Sequence, residues 1–189
     1  MSTSERPQVL FLVGAVGVGK TDASYRIFSR LWSTGTQTAR LDMDDLGMCH
    51  PAPADDPDNH RVKAETLGVV WPLFRGRDTR RLVLAGDVLD QAEADLYRAQ
   101  IPDARWSICR LRATDDERSR RILARAAALG MSAAQSDFWL TAGADEDRRL
   151  DGESFMDCTV DTTARDRDEV VPLVLDAIGW TVDDQNSKS

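Results

Sequence analysis

Cysteine is scarce, with three in 189 residues, at Cys49, Cys109 and Cys158. That odd number, without a CxxC pair, argues against a disulfide framework or a zinc site and predicts three reduced thiols. Basic charge is also short. Against 24 Lys and Arg stand 32 Asp and Glu, a formal net charge of −8, whereas a surface that grips nucleic acid needs a basic excess. Lysine is limited to Lys20, Lys63 and Lys188, so arginine carries nearly all the positive charge. No apolar run approaches the roughly 20 residues of a membrane helix. No N-terminal stretch joins a basic flank, an apolar core and a small-residue cleavage site. These absences predict a soluble, cytoplasmic protein without nucleic-acid or membrane partners. The five tryptophans, Trp32, Trp71, Trp106, Trp139 and Trp180, are dispersed and form no platform for bases. With no repeat and no break in composition, residues 1–182 read as one domain, followed by a polar tail, 183–189, expected to be disordered.

Gly14-Ala15-Val16-Gly17-Val18-Gly19-Lys20-Thr21 is the most informative segment. It fits Gly-x4-Gly-Lys-Thr between an apolar run, Val9 to Val13, and a helical pattern. Glycines let backbone N–H groups turn inward around phosphates, and the helix start adds its positive dipole end. Lys20 reaches the outer phosphates, and the Thr21 hydroxyl is offered to Mg²⁺. Residues Gly14 to Thr21, with Asp22 behind them, therefore form the nucleotide-binding set, with ATP and Mg²⁺ as the implied cofactors.

The rest of the chain alternates strand and helix patterns. Strands are predicted at 9–13, 36–41, 80–86, 105–111 and 155–161. Helices are predicted at 21–32, 60–74, 91–100, 114–129, one or two within 132–150, and 166–178. The stretch 50–59, with three prolines, reads as an irregular loop. Such alternation predicts an α/β fold with a parallel sheet covered on both faces.

Ligands of open α/β sheets bind beyond the carboxyl ends of the strands, so Asp42 and Asp44, after the second strand, should face the crevice of the phosphate loop. Two carboxylates there can divide the work, one holding Mg²⁺ through water and the other taking a hydroxyl proton. Gly86-Asp87 ends the third strand. The glycine would admit a ligand closely, and Asp87 would touch substrate or Mg²⁺. His60, Arg61, Lys63 and Trp71 are candidates for a substrate surface. Arg121 and Arg125 lie one helical turn apart and can share a side.

Leu41-Asp42-Met43-Asp44-Asp45-Leu46, placed after strand two of a phosphate-loop chain, resembles the matching segment of small-molecule P-loop kinases. Adenylylsulfate, shikimate and gluconate kinases and chloramphenicol phosphotransferase are the nearest in pattern, alongside small AAA-type P-loop NTPases. The resemblance implies a P-loop three-layer sandwich, a five-stranded parallel sheet of order 2-3-1-4-5, and a helical lid at about 114–150. It makes Asp44 the catalytic base or hydroxyl anchor, Asp42 its Mg²⁺-side partner, and Asp45 a weaker candidate. It also makes Arg118, Arg120, Arg121 and Arg125 lid arginines, with Arg121 and Arg125 as the catalytic pair beside Lys20. Val160-Asp161-Thr162-Thr163 would line the nucleotide base, which brings in Thr162. The absence of an Asn/Thr-Lys-x-Asp guanine motif favours ATP. The implied activity is transfer of the γ-phosphoryl group to a small-molecule hydroxyl, an antibiotic or other specialised metabolite among the acceptors. The substrate side would use Asp44, Arg61, Gly86 and Asp87. A nucleotide-dependent switch and a toxin-like sugar-nucleotide kinase are the alternatives, and the oligomeric state is left open, a homodimer included.

Overall fold

The apolar run near the start becomes β1 (Gln8–Val13), where every residue from Val9 onward is fully buried. A strand dry on both faces belongs in the middle of a covered parallel sheet. That is its place in the computed structural model, which describes residues 6–180. The other strands are β2 (Thr38–Asp42), β3 (Arg81–Ala85), β4 (Arg105–Arg112) and β5 (Cys158–Asp161). All pairings are parallel, in the order β2-β3-β1-β4-β5.

Alternation along β1 divides the core into two layers. Val9, Phe11 and Val13 pack with α3 (His60–Arg75) and α4 (Gln91–Gln100), while Leu10 and Leu12 pack with α1 (Lys20–Ser33) and α7 (Arg167–Ala177). The result is a helix–sheet–helix sandwich. A hairpin of α5 (Asp115–Leu129) and α6 (Ala133–Asp151) rises between β4 and β5. Thr114 caps α5 by accepting from Glu117 N, and Gly130 stops it at φ 65°. A Ser132/Gln135 capping box starts α6, which runs unbroken for 19 residues.

Most expected ends fall within two residues of the observed ones, and two segments differ by more than that. The strand expected at 155–161 begins only at Cys158: Phe155 is buried in the core layer that holds Leu150, and the Asp157 side chain accepts from Ile108 N at 2.7 Å. The acidic run after β2 folds into one helical turn, α2 (Met43–Leu46), with Asp42 as its cap. The cysteines are free, but Cys109 and Cys158, distant in sequence, are register partners on β4 and β5. The contact with Cys158 and burial push the Cys109 thiol up. Among the described residues no helix is long and apolar enough to cross a membrane. The expected disordered tail lies outside the described residues.

Candidate active site

The phosphate loop joins β1 to α1, and its shape depends on glycine. A Cβ at Gly14, where φ is 142°, would sit 2.3 Å from Leu111 O, and one at Gly17, where φ is 89°, would meet Arg118 O at 3.0 Å. The loop can therefore pass beneath β4 and α5 only without those side chains. Lys20 opens α1 with its ammonium turned back over the loop. Nζ donates to Gly14 O at 2.6 Å and Ala15 O at 3.3 Å, and lies 2.6 Å from Asp87 Oδ1. Thr21 is exposed beside it. Val16 N already donates, at 2.7 Å, to a carboxylate oxygen of Glu146 on α6. Asp22 pairs with Arg26 at 2.9 Å and Arg167 at 3.6 Å, alongside α7.

Three strand ends converge on this loop. Asp42, at the end of β2, accepts from Arg40 Nη2 at 3.2 Å and from Asp44 N at 3.3 Å. Arg40 Nε also donates to Ser24 Oγ, which ties β2 to the first turns of α1. One turn on, Asp44 takes an ion pair from Lys63 Nζ at 3.2 Å. Lys63 lies on the buried stripe of α3 with Ala64, Leu67 and Trp71, which is why its charge meets the site rather than solvent. Gly86 brings the third strand end close, since a Cβ there would lie 3.1 Å from Met43 Cβ and 3.3 Å from the Phe11 ring. Asp87 follows at once, near enough for the two acids to affect each other. Burial raises the Asp44 carboxyl, and the charge of Asp87 adds to this against Lys63 and Lys20. Burial also pushes Asp87 upward, but Lys20, at ion-pair distance, and then Lys63 outweigh it and hold Asp87 below an ordinary carboxylate. The pair thus separates into a readily ionised acid on Lys20 and a more basic one on Lys63, the division that acid–base chemistry uses.

Behind Asp44 stands a buried wall in which His60 Nδ1 meets Tyr97 Oη at 3.0 Å and His60 Nε2 lies 3.4 Å from Glu93. Burial, followed by the charge of Asp44, pushes the Tyr97 phenol up. The structure does not bring Arg61 to the site. Its guanidinium is exposed and bonded to Asp55.

The arginines of α5 divide by helix face. Arg121 donates to Val18 O at 3.2 Å, Gly17 O at 3.4 Å, Thr162 Oγ1 at 3.0 Å and Thr162 O at 2.7 Å. It is a strap between the loop and the end of β5. Thr162 is buried and its hydroxyl donates toward Val18 O or Arg112 O. Arg125 is exposed and Arg120 pairs with Glu117. Arg118 is buried, bonded to Asp115 and to Gly143 O on α6. A further arginine, Arg110 of β4, grips α6 through Asp147 at 2.7 Å and Asp151 at 2.9 Å.

The residues fit a nucleotide triphosphate with Mg²⁺. The loop already holds a carboxylate on a backbone amide, which is the behaviour of an anion receptor. Among the described residues no three of His, Cys, Asp and Glu form a metal cluster. Thr21, at the start of α1, and Asp42, at the end of β2, are the residues that would hold the ion.

Sequence reasoning missed Glu146 and the Arg110–Asp147 pair, and only touched Lys63. The signal for Glu146 was available in the stripe Gly143, Glu146, Asp147, Leu150, which puts a glycine and two acids on one helix face with a buried leucine.

No protein-family model and no curated relative matches the chain. Solved structures do. The tunicamycin resistance protein of Deinococcus radiodurans aligns at TM-score 0.64 and 16% identity over 93% of this chain and 98% of that one. A gluconokinase from Sinorhizobium meliloti 1021 aligns at 0.62 and 17% over 93% of each chain. The APS kinase of Mycobacterium tuberculosis, solved with AMPPNP and APS, aligns at 0.55 and 18% over 92% of this chain and 98% of that one. The likeness is one of fold. This chain has the P-loop kinase α/β fold, with its strand order and its enclosing helices.

Proposed function

We propose, starting from that shared fold, that this chain is a kinase that moves the γ-phosphoryl group of ATP to a hydroxyl of a small molecule. The observation that supports it best is the meeting of Lys20, Asp87, Asp44 and Lys63 at three adjacent strand ends. A phosphate-binding loop alone would serve any NTPase. An acid made more basic by burial, then held by a buried lysine beside that loop, serves an acceptor.

ATP with Mg²⁺ supplies the phosphoryl group and neutralises the charge that develops on it. Loop amides and Lys20 hold the phosphate chain, with Lys20 leaving Asp87 to do so. Asp44 receives the proton of the acceptor hydroxyl as its oxygen bonds to phosphorus and the bond to ADP breaks. Lys63 fixes the Asp44 carboxylate and favours its ionised form. Thr21 and Asp42 would hold the metal, while Arg121 keeps the loop in register with the base-side segment at Thr162. An antibiotic, a sugar acid, a nucleoside and a sugar nucleotide are the acceptor classes to screen. A nucleotide-dependent switch would need the loop but would have no use for the Lys63–Asp44 pair.

The test is ATP turnover against a library of hydroxyl compounds, with products identified by mass spectrometry. Lys20→Ala should abolish transfer while the thermal transition persists. Near-parent activity in that folded variant would remove the phosphate-loop assignment.

A further inference from the structure

We propose that Glu146 is an internal ligand of the phosphate loop, holding an amide that a phosphate must take, so that a nucleotide enters only when α6 gives up this contact. The inference rests on the reading that the loop binds phosphate, and it adds what the loop does before it binds.

The contact is between Glu146 Oε2 and Val16 N, at 2.7 Å, across 130 residues of sequence. It is not an isolated side-chain excursion. A Cβ on Gly143, one turn earlier, would lie 3.2 Å from Val16 O, so α6 presses its glycine face on the loop backbone. Arg118 on α5 grips Gly143 O, and Arg110 on β4 grips Asp147, next to Glu146. Both neighbours of the contact are therefore anchored, and Glu146 is aimed by the fold.

Its surroundings are unfavourable to a carboxylate. Lys20 on α1 attracts it, but Asp87 after β3 and Asp44 on α2 repel it, and burial removes its water. Burial first, and then Asp87, push the Glu146 carboxyl up to about 7. What favours the charged form is the loop amide itself, which accepts a carboxylate for the reason it would accept a phosphate oxygen. A phosphate chain brings more charge and more acceptor oxygens than one carboxylate, and so displaces it. Until then the binding-competent fraction is reduced, and the apparent affinity with it.

Calorimetric titration with a non-hydrolysable ATP analogue and Mg²⁺, at a pH of about 8 where Glu146 is ionised, decides the matter. A charge-assisted hydrogen bond given up on binding corresponds to roughly a 10–100-fold change in affinity. Glu146→Ala should bind about that much more tightly than the parent, and Glu146→Gln should fall between, since its amide oxygen can still accept from Val16 N. Asp145→Asn, which removes an adjacent charge that pairs with Arg148 rather than with the loop, should match the parent. The gap between parent and Glu146→Ala should narrow as the pH is lowered to about 6. Equal affinities for parent and Glu146→Ala overturn the inference and leave the nucleotide reading intact. Weaker binding by Glu146→Ala, or equal tightening by Asp145→Asn, also overturns it. If no protein binds the analogue, the nucleotide reading falls, and this inference falls with it.

Discussion

Asp44 carries two opposed influences, burial and Asp87 upward, Lys63 and Lys20 downward. Removing Lys63 deletes a downward one. Lys63→Met should therefore move the acid limb of kcat/KM to higher pH, with activity partly restored at alkaline pH and by Lys63→Arg. A uniform loss at every pH would reduce Lys63 to packing. Asp44→Asn should lose about 10²–10⁴-fold in kcat with nucleotide affinity kept, the usual worth of a general base. Retained turnover would shift the role to Asp87. Glu146 makes a prediction about stability. Its folded value of about 7 lies above the 4.5 of an ordinary glutamic acid. Between those values the native state keeps a proton that the unfolded chain has lost, so its contribution to stability falls as pH rises through that window. Thermal scans over the window should show that decline in the parent and a flatter profile in Glu146→Gln. Parallel profiles would place the Glu146 carboxyl near its ordinary value.

At the scale of elements, α6 is held down by charges that water does not reach. Arg110 and Asp147 are both buried. Removing Asp147 leaves Arg110 with Asp151 at 2.9 Å and takes a carboxylate from buried Arg118 at 3.7 Å, so the loss should fall below the roughly 3–5 kcal/mol of a fully stranded charge, whereas replacing both partners with apolar side chains is often near neutral. Asp147→Leu should lower the melting temperature, and Arg110→Met with Asp147→Leu should recover part of the loss. Additive losses in that double-mutant cycle would show that the pair is not coupled. The same contrast explains what was legible in the chain. The ends of α5 could be read from Thr114 and Gly130, because caps are local chemistry. The single run of α6 could not, because Gly143 interrupts its pattern for reasons that lie on the loop it packs against. The onset of β5 was misread for a similar reason, with Phe155 and Asp157 looking like strand but serving the core and Ile108 N.

For the whole molecule, parallel order was readable because βαβ alternation and dry strands admit few topologies. The strand permutation came through resemblance to kinases. Of the candidate site, the glycine-shaped loop after β1 was legible since its form is encoded in consecutive residues. Asp42, Asp44 and Asp87 followed from the rule that strand ends share a crevice. The partners of Lys63 and Glu146 were not legible, since each is reached through tertiary contact across 19 and 130 residues. Arg61 and Arg125 show the converse, basic residues in promising segments whose helix faces turn them to solvent.

Arg121 joins the loop to Thr162, the residue just past a four-residue edge strand. Edge strands of that length open locally more often than the centre of a sheet. When β5 lifts, it uncovers Cys109, which is otherwise sealed, while Cys49 stays exposed throughout. The chain therefore carries its own reporter and its own internal control. Reaction of Cys109 with a small thiol reagent should proceed at the frequency with which β5 opens, and Cys49 should react at once. A ligand that fixes the loop should reach β5 through the strap and slow the labelling of Cys109, leaving Cys49 unchanged. In Arg121→Ala the ligand should lose that remote protection. An unaltered Cys109 rate in the parent would mean that loop and edge strand fluctuate independently.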